Sequence, residues 1–102
     1  MIHVLAIITA KPGQRDAVLE AFRANVPAVH AEKGCIEYTP MIDMSSGMAA
    51  QGPVRDHAVT VVEKWESLAA LEAHLKTPHM AEFQKQTADM RLGLTLQILQ
   101  PA

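Results

Sequence analysis

The sequence predicts an α+β fold of the ferredoxin-like βαββαβ type, an antiparallel sheet with helices on one face. Three observations carry this. Apolar residues change period along the chain, from strand to helix and back, in the order β-α-β-β-α-β. Clusters of Gly, Pro and Ser separate the segments. The 102 residues suit one domain, 1–102, and leave no room for a second.

Ile2–Thr9 is β-branched and apolar and stops at Lys11-Pro12-Gly13, which reads as a strand. Ile2, Val4, Ala6 and Ile8 share one of its faces, and Leu5 and Ile7 the other. A strand apolar on both faces needs cover on both, and one layer of helices supplies only one. The simplest second cover is the same sheet of another copy, so a homodimer packed through sheet faces is expected.

Arg15–Lys33 reads as a helix. Val18, Phe22, Val26 and Val29 form its apolar stripe, Pro27 is expected to bend it, and Gly34 is expected to stop it. Cys35–Met44 reads as a second strand, which Pro40 restricts to an edge or an irregular stretch. A loop rich in turn residues follows through Pro53. His57–Trp65 is the third strand, centred on Val59, Val61 and Val62. Ser67 is expected to cap a helix running to Leu75, with Leu68, Leu71 and Leu75 as its apolar stripe and His74 at the stripe's edge. Thr77 and Pro78 then restart a helix whose stripe is Met80, Phe83, Thr87 and Met90. Leu92–Leu99 is the last strand.

Composition excludes several functions. Formal net charge is −2 and the nine basic residues form no block, which argues against nucleic acid. The single Cys35 admits no intramolecular disulfide and fits a reducing cytoplasm, and it is read as packing. The N-terminal stretch lacks the features of a secretory signal, and no apolar run is long enough to span a membrane. With 4% aromatic residues, the core must be mostly aliphatic.

The chemistry-bearing groups concentrate in residues 63–80. His74 and His79 are five apart with Pro78 between them, unlike the four-residue helical spacing of HExxH, and no Cys pair exists, so no metal site is expected. Glu63 and Trp65 share a strand face with Val59 and Val61, a face expected to be buried. A carboxylate there needs a partner: His74 or His79, or, at a fraying strand end, Lys64 or water. Such a pairing fixes the imidazole tautomer and suits a general base. His79 lies in the first turn of its helix, where free backbone N–H groups favour an anion. Trp65, Tyr38, Met41, Met80 and Phe83 are the expected pocket walls. Met41, Met44 and Met48 cluster before and within the long loop, which is expected to close over a flat ligand. Each group also has a plain structural reading: surface histidines, a core Trp and Tyr, filler methionines. His3, His30 and His57 carry no assignment.

"KPGQ" (11–14), "GCIEY" (34–38), "EKWES" (63–67), "HLKTPHM" (74–80) and the closing "ILQPA" (98–102) come in an order that resembles the antibiotic biosynthesis monooxygenase family, most of all its small bacterial quinol monooxygenases. The resemblance spans nearly the whole chain. It implies a dimeric α/β barrel of ferredoxin-like subunits and oxygenation of a quinol-type aromatic by O2 without metal, flavin or haem. Catalysis is then assigned to His74 or His79 as base, with Glu63 orienting an imidazole, Trp65 beside the substrate ring and Tyr38 contacting an oxygen. A related haem-degrading branch uses an Asn on the first strand and a Trp–His pair. Here the only Asn is Asn25 in the first helix, His74 stands where that Trp would, and that His falls near Gln84, which disfavours haem. A non-enzymatic dimeric ligand-binding module and a small-molecule isomerase remain as alternatives.

Overall fold

The computed structural model describes residues 1–102. Strands β1 (Ile2–Ala10), β2 (Cys35–Met41), β3 (Ala58–Trp65) and β4 (Arg91–Leu99) form one sheet in the order β2-β3-β1-β4. All three pairings are antiparallel. Helices α1 (Arg15–His30), α2 (Leu68–Leu75) and α3 (Pro78–Thr87) complete the expected ferredoxin-like βαββαβ order, and a single 3-10 turn, Ala88–Met90, leads into β4. No helix is long and apolar enough to cross a membrane.

Strand alternation sorts the sheet into two faces. Val4, Ala6, Ile8 and Ala10 of β1 and Val59, Val61, Glu63 and Trp65 of β3 are buried under the helices. Val18, Leu19, Phe22 and Val29 of α1 and Met80 and Phe83 of α3 close onto them. Each such Val, Leu, Ile, Phe or Met side chain contributes about 1.5–3 kcal/mol on burial. Phe22 stacks on Tyr38 at 5.0 Å and meets Phe83 edge-on at 5.7 Å.

The helices pack mainly over β1, β2 and β3, and β4 lies beyond them. Leu94, Leu96 and Ile98 stand opposite Ile8, Ala6 and Val4, on the helix-bearing face, yet all three are exposed. The other face carries Leu5, Ile7 and Val62, with Leu5 exposed and the other two half-buried.

Several boundaries differ from the sequence expectation. Helix α1 runs through Pro27 but ends at His30, three residues early. The chain then turns tightly: Glu32 N–H donates to Val29 O, and Gly34 adopts φ +86°. Only glycine takes that conformation without strain. The second strand stops at Met41 rather than Met44. As Pro40 requires, it is an edge strand, and it has a bulge between Cys35 and Glu37. Ser67 and Thr77 cap α2 and α3 as expected, their side chains accepting from Ala70 N–H and Met80 N–H. The buried stripe of α2, however, is Leu71 and His74, while Leu68 and Leu75 are exposed. The helix is rotated from its apolar stripe because the imidazole has partners inside, described next.

Candidate active site

A largely apolar cleft opens between the sheet and the helices. It holds about 450 Å³, the open space at its mouth included. Ala6 and Ile8 form its floor, Phe22, Met80 and Phe83 its helical wall, and Leu94 and Leu96 of β4 the open side. Ala6 matters because its cross-strand neighbours are Val61 and Leu96, and its single methyl leaves room between them. The polar groups lining the cleft are Tyr38, Glu63, His74, Gln84 and Arg91.

His74 is 2% exposed. Its Nδ1 lies 2.9 Å from Glu32 Oε2, and the same oxygen lies 2.8 Å from His79 Nε2. A carboxylate oxygen only accepts, so both ring nitrogens facing it carry hydrogen. That sets His74 as the Nδ1–H tautomer. Its Nε2 has no protein partner, and no buried side-chain nitrogen or oxygen in the molecule lacks one, so Nε2 is open to the cleft. Trp65 backs the ring at 4.6 Å and Tyr38 meets it edge-on at 5.3 Å. Burial pushes the imidazole below its ordinary value, against the hydrogen bond and charge of Glu32, while His79 lowers it further. A neutral imidazole with a free lone pair can accept a proton.

Glu63 is buried, lines the same cleft and accepts from Trp65 Nε1 at 2.9 Å. Burial raises its carboxyl to about 7; the Trp65 hydrogen bond opposes this and the charge of Glu32 adds to it. Tyr38 O–H points to Met80 Sδ at 3.9 Å, and burial, then the charges of Glu63 and Glu32, hold its proton on.

The sequence-predicted residues thus divide. His74, Glu63, Tyr38, Met80 and Phe83 meet around one cleft. His79 lies outside it, with its side chain 28% exposed. Trp65 is fully buried behind His74 and does not line the cleft. Glu63 does not orient an imidazole; its partner is the indole two residues on, on the same strand face, and Glu32 holds both histidines. The sequence reading placed Glu32 inside the first helix and so missed it. Met41, Met44 and Met48 are exposed and outside the cleft. The loop after β2 leaves the sheet at the β2–β3 end and is clasped by a bidentate Arg55–Asp43 pair. Cys35 packs against the core, and burial raises its thiol, which does not suit a nucleophile. No three His, Cys, Asp or Glu side chains are grouped to hold a metal ion.

Fold and cleft together define a small α+β domain with a largely apolar cleft lined in part by a buried imidazole. The chain belongs to the antibiotic biosynthesis monooxygenase family, whose match covers residues 1–86, and its function is of the monooxygenase type. It is 43% identical to the Probable quinol monooxygenase YgiN of Escherichia coli (strain K12), over 99% of this chain and 98% of that protein. The crystal structure of PA3566 from Pseudomonas aeruginosa superposes with a TM-score of 0.82 at 28% identity, covering 99% of this chain and 93% of that one. Rv0793 from Mycobacterium tuberculosis gives a TM-score of 0.80 at 20% identity, covering 99% and 94%.

Proposed function

We propose that this chain oxygenates a quinol-type aromatic with O2, and that His74 is the base. The observation that carries this is the Glu32-anchored His74, with its free Nε2 open to an apolar cleft. The likeness to a probable quinol monooxygenase over the full chain supports the substrate class.

Nε2 of His74 takes a phenolic proton, and Glu32 stabilises the imidazolium that forms. The phenolate is then electron-rich enough to reduce O2 without a bound cofactor. The stoichiometry closes: quinol plus O2 gives a hydroxyquinone and water, all four electrons coming from the substrate. Glu63, protonated below about pH 7, donates a hydrogen bond to a substrate oxygen. Phe22, Met80 and Phe83 hold the ring and exclude water.

The test is O2 uptake by metal-free, flavin-free protein with a menadiol-like quinol. Uptake well above background autoxidation is expected, and none above background overturns the reading. Tight quinone binding without turnover identifies a binding module instead. Conversion of a sugar isomer without O2 uptake identifies an isomerase.

The same reading includes a homodimer through the sheet face that bears Leu5, Ile7 and Val62. Sedimentation at micromolar concentration is expected to show a dimer, and a monomer there contradicts it.

A further inference from the structure

We propose that Arg91 is an anion-recognition residue and that the preferred ligand is an aromatic quinol or quinone bearing a carboxylate. This deepens the quinol reading and rests on it for the ring system.

Arg91 opens β4 and lines the cleft. Its guanidinium is held in place by neutral groups alone. Nε donates to Thr87 Oγ1 at 3.0 Å and Nη2 to the Gln84 carbonyl at 3.2 Å. Thr87 is itself fully buried and fixed by donating to Phe83 O at 2.9 Å, so the tether is rigid. None of the four ion pairs of the molecule includes Arg91. A guanidinium always carries its charge and presents five donors in a planar fork that fits a carboxylate.

The other ionisable groups of the cleft are held toward neutrality: Glu63 and Tyr38 are pushed up and His74 is pushed down. Arg91 is therefore the cleft's permanent charge, set among Leu94, Leu96 and Phe83. A lone preorganised cation beside apolar walls selects an apolar ligand with one negative substituent. Arg91 pairs with Ala10, four residues along β1 from Ala6 on the floor, or about 13 Å of strand. The substituent thus docks at the end of the cleft away from Glu63, which pairs with Val4.

The experiment compares equilibrium binding of a naphthoquinone carboxylic acid, its methyl ester and the unsubstituted naphthoquinone, by titration calorimetry, with no turnover involved. The full chain is expected to bind the acid on the order of 10-fold more tightly than the ester. That preference should weaken as salt is raised. Arg91→Gln should remove it, and Arg91→Lys, which keeps the charge, should retain part of it. Equal binding of acid and ester by the unaltered protein overturns the proposal without any variant. A preference that survives in Arg91→Gln also overturns it. A preference for the acid without O2 uptake for either quinol leaves Arg91 assigned and removes the monooxygenase reading.

Discussion

Trp65 and His74 lie ring against ring, their centroids 4.6 Å apart and their planes tilted by 36°. The same indole donates its Nε1–H to Glu63. One buried side chain thus touches both His74 and Glu63 without lining the cleft. Trp65 lies behind the site, so the side chains to alter are those in front of it.

His74→Ala is expected to lower the O2 uptake rate on the order of 10²-fold, the usual contribution of a positioned base. His79→Ala, outside the cleft, should cost far less. Equal losses in the two variants, read with one quinol at saturation, would remove the distinction between the two imidazoles.

Glu32→Gln keeps an acceptor oxygen but removes the charge. Glu32 raises the proton affinity of His74, so its loss should lower that affinity further. The acid limb of the kcat/KM profile is expected to move to lower pH, with the plateau reduced by ~10-fold or more. An unmoved limb would show that His74 is not the group titrating.

Glu63 gives a stability prediction. Its carboxyl titrates at about 7 in the fold and near 4.5 when free. Between those values the folded state holds a proton that the unfolded chain releases. Its contribution is therefore full below about pH 4.5 and declines as pH rises, until it levels off above about 7. The decline amounts to roughly 3 kcal/mol. Glu63→Gln should flatten the dependence of Tm on pH between 5 and 8. A slope equal to that of the unaltered protein would exclude Glu63 as its source.

Gly34→Ala tests the tight turn. A Cβ at residue 34 would meet Ala70 Cβ at 2.7 Å, on top of the strain of φ +86°. Destabilisation by about 1–3 kcal/mol is expected in urea unfolding. Ala70 lies one turn before His74 on α2, so the variant should also lose activity beyond its unfolded fraction.

The fold was legible because β1, β3 and the Met80–Phe83–Thr87 stripe follow their periods closely. The cleft was half legible. Alternation along β3 put Glu63 and Trp65 on a buried face, and they are there. What failed was partner choice, which depends on where distant segments meet. Glu32 is 42 residues from His74 and reaches it because α1 stops at His30 and the chain turns tightly before the left-handed Gly34. Helical periodicity continued plausibly to Lys33 and hid that turn. Local pattern also misplaced the inner face of α2, where a hydrogen-bonded imidazole displaced leucine from the interior.

Pro78 has a consequence in angle. On an unbroken helix, residues five apart point about 140° away from each other, and two imidazoles so placed could not reach a single oxygen atom. The break at Lys76–Thr77 lets α3 set off on its own axis, and the two rings converge on Glu32 from either side of the corner. The junction between the helices is thus a clasp. One carboxylate ties the end of one helix to the start of the next, so any motion that parts α2 from α3 must also release His74.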